Sequence, residues 1–301
     1  MNRSIRLCVL SLLFAACGLL ASPAAAEDNP MDLRVMSFNI RFGTANDGPN
    51  SWPHRTELVK QVIRDFNPDL LGSQEVMAFQ GKFLREALPD YAFIGVGRAD
   101  GKEGGELCPV MYRKDRFELL DSGTFWLSET PEVAGSKSWD SSLPRIATWA
   151  KLKDHRTGQT LLFCNTHFDH RGPEARLQSA LLLQERLPKL AEGAPIIVTG
   201  DFNANEDSKP YQALTKPETG KGVAFADSYR VVHPERSDRE VTYNGFKPVE
   251  QGSRIDWILY SPERFKPVEA AIVRTQIAGR LPSDHYPVTA VLRLTDQAKS
   301  N

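Results

Sequence analysis

Six short polar clusters close apolar runs along this 301-residue chain: Ser37-Phe38-Asn39-Ile40, Gln74-Glu75, Asn165-Thr166-His167-Phe168-Asp169, Gly200-Asp201-Phe202-Asn203, Arg254-Ile255-Asp256-Trp257 and Ser283-Asp284-His285. All are rich in Asn, Asp, Glu or His, and each ends or lies within a stretch of strand character. Strand ends that converge would gather these groups into one acidic pocket. Hard oxygen donors beside two histidines suit metal-assisted attack on a phosphate ester. A carboxylate from one strand and an amide oxygen from its neighbour, Glu75 and Asn39, offer Mg²⁺ a few ligands and leave room for water and substrate.

Spacing assigns further roles. Residues i and i+2 of an extended segment point to the same side, so Asp201 and Asn203 share a face while Phe202 anchors the loop in apolar packing. Asp201 suits a base that orients a water, and Asn203 can hold that water or a phosphate oxygen. Gly200 permits a sharp exit from the strand. His167 and Asp169 carry the same spacing, and His167 can donate a hydrogen bond to a phosphate oxygen. A carboxylate that holds a histidine raises its basicity and fixes its orientation. Asp256 and His285 fit that pairing, and a charged His285 would offset negative charge on a phosphoryl group. Arg145, in Pro144-Arg145-Ile146-Ala147-Thr148-Trp149, reads either as a ligand of substrate phosphate or as a strand-edge arginine paired with a carboxylate. His170 reads either as part of the site or as a solvated loop residue. Glu106 and the glycines of Gly101–Gly105 read either as a substrate loop or as a plain hairpin.

Taken in order, these clusters resemble the endonuclease/exonuclease/phosphatase superfamily, over roughly residues 33–294. The residues that carry the likeness are Ser-Phe-Asn-Ile, Gln-Glu, Asn-Thr-His, Gly-Asp-Phe-Asn, Ile-Asp-Trp-Ile and Ser-Asp-His-Tyr-Pro-Val. The resemblance implies an α/β fold: a four-layer sandwich of two mixed β-sheets packed face to face, with helices on the outer faces. It implies that Asn39, Glu75 and Asp284 hold Mg²⁺, with Mn²⁺ as a substitute. It further implies that Asp201 activates the water, that Asn203 and His167 contact the phosphate, and that Asp256 orients His285. No leucine-rich repeats accompany the motifs, which sets the chain apart from a full-length deadenylase.

The elements that must position these residues follow from hydrophobic period. Leu33 to Ile40 reads as a strand nearly buried on both faces. Leu58, Val59, Val62, Ile63 and Phe66 repeat at helical spacing up to Pro68. A second strand leads from Asp69 to Glu75, and a short helix covers Phe79–Ala87. Strands are expected at Tyr91–Gly97, Glu106–Tyr112, Phe117–Trp126, Ile146–Leu152 and Thr160–Asn165, with turns at Asp100-Gly101 and Arg156-Thr157-Gly158. A helix over 174–190 precedes a buried strand from Pro195 to Thr199. Strands at Arg254–Tyr260, Val268–Arg274 and Tyr286–Leu294 complete the domain, placed at 32–296. Two facing sheets with helices outside put several strand ends along one edge.

The start of the chain reads as a signal peptide over residues 1–26. Arg3 and Arg6 precede an apolar run from Leu7 to Leu20, and the small residues Ala24-Ala25-Ala26 follow. That run is shorter than the roughly 20 residues a membrane span needs. Cleavage near Ala26 would deliver a secreted or periplasmic protein, and Cys17 after Ala15-Ala16 offers a lipid-anchored form. Removing those two arginines from 37 Lys+Arg leaves 35 against 38 Asp+Glu, a formal net charge of −3. Proteins that grip long stretches of nucleic acid are usually basic, so a nucleic-acid substrate is not favoured. Cys108 and Cys164 sit in expected strands and read as buried small apolar residues, with their pairing open. The reading is a phosphoesterase acting on phosphomono- or phosphodiesters by in-line water attack. A secreted nuclease is its rival, and an inactive phosphate-binding module is the alternative from another class.

Overall fold

A computed structural model describes residues 29, 31–218 and 222–295. The signal segment, its cleavage point near Ala26 and Cys17 lie outside the described residues, as does residue 296. In chain order the elements are β1 (Asp32–Asn39), α1 (Thr56–Phe66), β2 (Leu70–Gln74), α2 (Ala78–Ala87), β3 (Tyr91–Ile94), β4 (Val110–Arg113), β5 (Phe117–Trp126), β6 (Ile146–Asp154) and β7 (Thr160–His167). Then come α3 (Pro173–Ala191), β8 (Ile196–Asp201), α4 (Lys209–Thr215), β9 (Ala226–Asp227), α5 (Ser228–Val232), β10 (Asp256–Tyr260), β11 (Phe265–Ile272) and β12 (Val288–Leu294).

The strands form two six-stranded mixed sheets, ordered β11-β12-β1-β2-β4-β3 and β5-β6-β7-β8-β10-β9. β1 and β2 run parallel, as do β7 and β8, while the remaining neighbours are antiparallel. Parallel partners bring their carboxyl ends together. Asn39 therefore lies beside Gln74, and His167 beside Asp201. Antiparallel β10 starts at the same edge, with Asp256 opposite Asp201. β12 starts there too, with Val288 opposite Ser37.

Between the sheets lies a buried apolar layer that includes Leu33, Val35, Leu70, Phe163, Ile197, Ile258 and Leu292. α1 and α2 cover the outer face of the first sheet, packing against Met36, Phe38, Leu71 and Met111. α3 covers the second over Leu162, Cys164, Ile196 and Val198. Helix, sheet, sheet, helix is the expected four-layer sandwich. Local signals explain the boundaries: α1 buries Val59, Val62 and Ile63 and ends at Asn67, which takes a left-handed conformation (φ 50°) before Pro68. Cys108 and Cys164, the cysteines among the described residues, are free and buried.

Several expected boundaries shift. The strand placed at Glu106–Tyr112 begins only at Val110, and β3 stops at Ile94. The residues between belong to a hairpin loop in which Leu107 bridges Val76 and Gly97. Asp100 closes this loop by accepting from the backbone of Lys102 and Gly104, and Gly101 takes φ 70° there. β10 starts at Asp256 rather than Arg254, since Arg254 is buried in an ion cluster with Asp227 (2.7 Å) and Glu206. β12 starts after Pro287, which lacks the donor a ladder needs. The helix α4 was not anticipated, although Ser208 caps it onto Tyr211 (3.4 Å) with Pro210 in its first turn. Among the described residues, no helix is long and apolar enough to cross a membrane.

Candidate active site

A cavity of about 530 Å³ opens at the shared strand edge, lined by Glu75, Glu106, Arg145, His167, Asp201, Asn203, Asp284 and His285, among others. Three positions here hold non-glycine residues at positive φ: Arg41 (62°), Glu75 (60°) and Asn203 (48°). Each follows the end of a strand of a parallel pair. Backbone held in this region stores strain, which collects at functional sites. For Asn203 it also corrects the expected geometry. Asp201 and Asn203 do both face the cavity, but through a left-handed turn rather than an extended i, i+2 run. Phe202 is fully buried and stacks on Trp257 at 4.4 Å.

Asp201 is the hub. Asn39 Nδ2 donates to Asp201 Oδ2 (2.9 Å) and to Glu75 Oε1 (3.1 Å). The backbone N–H of Asn203 donates to Asp201 Oδ1 (3.0 Å). His167 Nε2 lies 3.4 Å and His285 Nε2 3.7 Å from Asp201 Oδ2. Burial, reinforced by the charge of Asp256, lifts the Asp201 carboxyl to about 7. His285 Nδ1 sits 2.9 Å from Asp256 Oδ2. Burial works against charge on this ring, yet Asp256 and Asp201 raise its pKa well above the ordinary 6.5 and favour the charged form. His167 goes the other way: burial and then Arg145 and Arg98 hold it well below 6.5. Asn203 Nδ2 lies 3.0 Å from His167 Nε2 and donates to the Phe168 carbonyl (3.1 Å).

Two expected roles meet a different geometry. Asn39 turns its nitrogen, not its oxygen, to the carboxylates, because the Arg41 N–H takes its Oδ1 (3.0 Å). It braces Glu75 against Asp201 in this arrangement. His167 turns Nε2 toward Asn203 (3.0 Å) and Asp201 (3.4 Å), and Nδ1 toward Glu106 (3.9 Å). Asp169 does not share the His167 face. It is buried behind the site, accepting from Ser142, Arg171 and Gly172, because the chain leaves β7 at His167.

The donor set fits a hard dication. Burial also raises Asp284, with Glu75 adding to the effect. Glu75, His167 and Asp201 each offer an atom within 4.8 Å of the others, as do Asp201, Asp256 and His285. Buried carboxylates this close repel one another, and a divalent cation relieves that repulsion.

Arg145 pairs with a carboxylate, as one of its two readings expects. Its side chain is only 4% exposed and lies 3.5 Å from Asp169 Oδ2, while its Nη2 contacts His170 Nδ1 (3.0 Å). Nε and Nη1 have no hydrogen-bond partner among the described residues, so a cation with spare donors lines the cavity. His170 is exposed at the rim. Arg41 and Arg55 escaped the sequence reading, since neither lies in a recognisable polar cluster. Arg41 reaches Asp47 (3.1 Å) and Asp284 (3.5 Å). Arg55 is fully buried and ties the carbonyls of Ile40 (2.9 Å) and Pro282 (2.7 Å), joining the Asn39 and Asp284 loops.

Comparison with known proteins agrees with this architecture. The Endonuclease/Exonuclease/phosphatase family model matches residues 36–285, and the chain belongs to that family. A solved family member from Bacteroides vulgatus is 40% identical with a TM-score of 0.80, over 88% of this chain and 99% of that one. A mannosyl-6-phosphatase from Bacteroides thetaiotaomicron is 38% identical with a TM-score of 0.77, over 88% and 100%. Among curated relatives, Nocturnin of Drosophila melanogaster is 26% identical over 87% of this chain, which spans 47% of that protein's length. A probable Ccr4 exoribonuclease subunit from Encephalitozoon cuniculi is 25% identical over 84% of this chain and 59% of its own length.

Proposed function

We propose that this protein is an exported, Mg²⁺- or Mn²⁺-dependent phosphoesterase that hydrolyses small phosphate esters, monoesters first, by in-line attack of water. The observation that carries the reading is the convergence of Asp201, Asn203, His167 and His285 on one cavity, with His285 Nε2 3.7 Å from Asp201 Oδ2. A carboxylate with a pKa of about 7 is matched to taking a proton from water near neutral pH. The imidazolium opposite it is matched to stabilising a phosphoryl oxygen. Asn203 is placed to offer Oδ1 to the attacking water. His167 locks Asn203 in place, and Asp256 holds the His285 ring. Arg145 supplies donors to the substrate's phosphate. Glu75 and Asp284 are the carboxylates placed to hold the cation, with the oxygen of Asn39 available once its amide turns over. When bound, the cation neutralises charge and polarises a phosphoryl oxygen.

The mannosyl-6-phosphatase neighbour and the confined cavity favour a small monoester. A nuclease is the second reading, favoured by the Nocturnin and Ccr4 relatives. Hydrolysis of p-nitrophenyl phosphate and bis-p-nitrophenyl phosphate with Mg²⁺, Mn²⁺ or EDTA tests the mechanism. Activity insensitive to EDTA, or full activity in both Glu75→Ala and His285→Ala, would sink it. Gels of single- and double-stranded DNA and RNA test the nuclease reading, which no cleavage removes. Export rests on the basic start, apolar run and Ala24–Ala26. Mass spectrometry of the protein from its native host should find a mature chain starting near Glu27.

A further inference from the structure

Asp256 and His285 meet across the join between the two sheets. Asp256 opens β10 of the second sheet, and His285 lies just before β12 of the first. Their 2.9 Å contact therefore depends on where two separate backbones lie at this edge, not on the register of one element. Each backbone also lacks a strand neighbour at this point. β9 is two residues long and pairs with β10 at Leu259 and Tyr260, so it does not reach Ile255 and Asp256. The rungs of β12 with β1 and β11 start at Val288, after His285 has passed.

The segment from Thr242 to Gly245 supplies what both sides lack. Thr242 Oγ1 accepts the backbone N–H of Ile255 (3.0 Å) and of Asp256 (3.3 Å). The carbonyl of the same residue accepts the Tyr286 N–H (2.7 Å). Tyr243 bridges His285, and the N–H groups of Asn244 (2.7 Å) and Gly245 (3.1 Å) both donate to the Asp284 carbonyl. Thr242 is fully buried. Valine has the same shape and suits a buried extended position as well. What the hydroxyl adds is an acceptor for two backbone amides that β9 does not reach, and buried amides need partners.

We infer that Thr242 is a positioning residue for the Asp256–His285 pair: its hydroxyl fixes the backbone that carries Asp256, and its carbonyl fixes the backbone that carries His285. This deepens the phosphoesterase reading and rests on it. Because both bonds belong to one residue, its own geometry sets the distance between the two backbones. Thr242 acts through the pair and not on the substrate. Displacing a reacting group by about 1 Å can cost about 100-fold in rate, so a brace of this kind shows in turnover before it shows in substrate binding.

Two substitutions separate the hydroxyl from the methyl. Thr242→Val keeps the shape and removes the acceptor, whereas Thr242→Ser keeps the acceptor and removes the methyl. With p-nitrophenyl phosphate and Mg²⁺, Thr242→Val should lower kcat by about 30- to 100-fold while KM moves by about threefold or less. Thr242→Ser should stay within about threefold of wild type in both constants. In an Asp256→Asn background, where the pair is already broken, Thr242→Val should cost about threefold or less beyond the single variant. In metal-free protein, the far-downfield proton signal of His285 Nδ1–H bonded to Asp256 should be present in wild type and Thr242→Ser and lost in Thr242→Val. If Thr242→Val does not fold, Thr242→Cys, whose sulfur is a weak acceptor, takes its place with the same expected directions. A loss in Thr242→Ser as large as in Thr242→Val overturns the inference in favour of packing. A full, additive loss in the Asp256→Asn background overturns it in favour of a general structural role. So does an unchanged proton signal in Thr242→Val, and a wild-type protein without that signal removes the pair on which the inference stands. If wild-type protein hydrolyses no phosphate ester with Mg²⁺ or Mn²⁺ but the proton signal follows the expected pattern, the phosphoesterase reading fails while the positioning role holds.

Discussion

Replacing Asp201 by Asn should abolish turnover and at the same time stabilise the metal-free protein at alkaline pH. The carboxyl is buried beside Asp256, and its pKa rises from 3.8 to about 7. At 1.36 kcal/mol for each pH unit, keeping it ionised in the fold costs about 4 kcal/mol at most. Asn gives part of that back, because its amide meets the Asn39 Nδ2 that now donates at 2.9 Å, and losing this bond costs about 1 kcal/mol. The Asp201 charge also supports the imidazolium of His285. The net gain is then about 1–3 kcal/mol, or roughly 2–10 °C in a chain of this size. The sign follows from linkage. A carboxyl raised in the fold contributes stability that is complete below pH 3.8 and lost as pH rises through 7. The variant should therefore match wild type near pH 4 and exceed it at pH 8. Thermal melts in EDTA at both pH values measure the difference, and p-nitrophenyl phosphate hydrolysis with Mg²⁺ should fall by about 100-fold or more. A variant less stable than wild type at pH 8, or a difference that ignores pH, would refute the reasoning.

Asp256→Asn removes the carboxylate that raises His285. The alkaline limb of the pH–rate profile should then move to lower pH, and kcat should fall by about 100-fold; an unmoved limb would show that His285 does not act charged. Chelation of metal, or Glu75→Ala, should remove activity while leaving the fold intact by circular dichroism. At the opposite pole, the buried Arg116 bridges Asp69 (2.8 Å) and Asp154 (2.9 Å). Arg116→Ala leaves buried carboxylates uncompensated and should cost about 3–5 kcal/mol in denaturant unfolding, with the metal dependence of activity unchanged.

Much of this protein was legible in its sequence because its signals are local. Alternating and continuous apolar runs identified the strands, and the Gly-Asp-Phe-Asn turn displayed its polar pair with Phe202 as anchor. Asp256 and His285, 29 residues apart, could be matched because a carboxylate beside an imidazole is a recurrent chemical unit. The missed helix α4 is short and stands on one cap, and the hairpin before β4 keeps its strand-like residues out of the ladder through Asp100.

What only the tertiary structure decided are contacts made across the two sheets or between distant loops. Asn39 meets Asp201 at a sequence separation of 162, and Arg55 reaches Pro282 at a separation of 227. Residue type alone could not say that Asn39 would turn its nitrogen inward, that Asp169 would face away from its neighbour His167, or that Glu106, on the loop before β4, would approach His167 at the end of β7. Side-chain period sets which face of a strand a residue occupies, whereas sheet pairing and burial set which partner it meets and which proton it keeps.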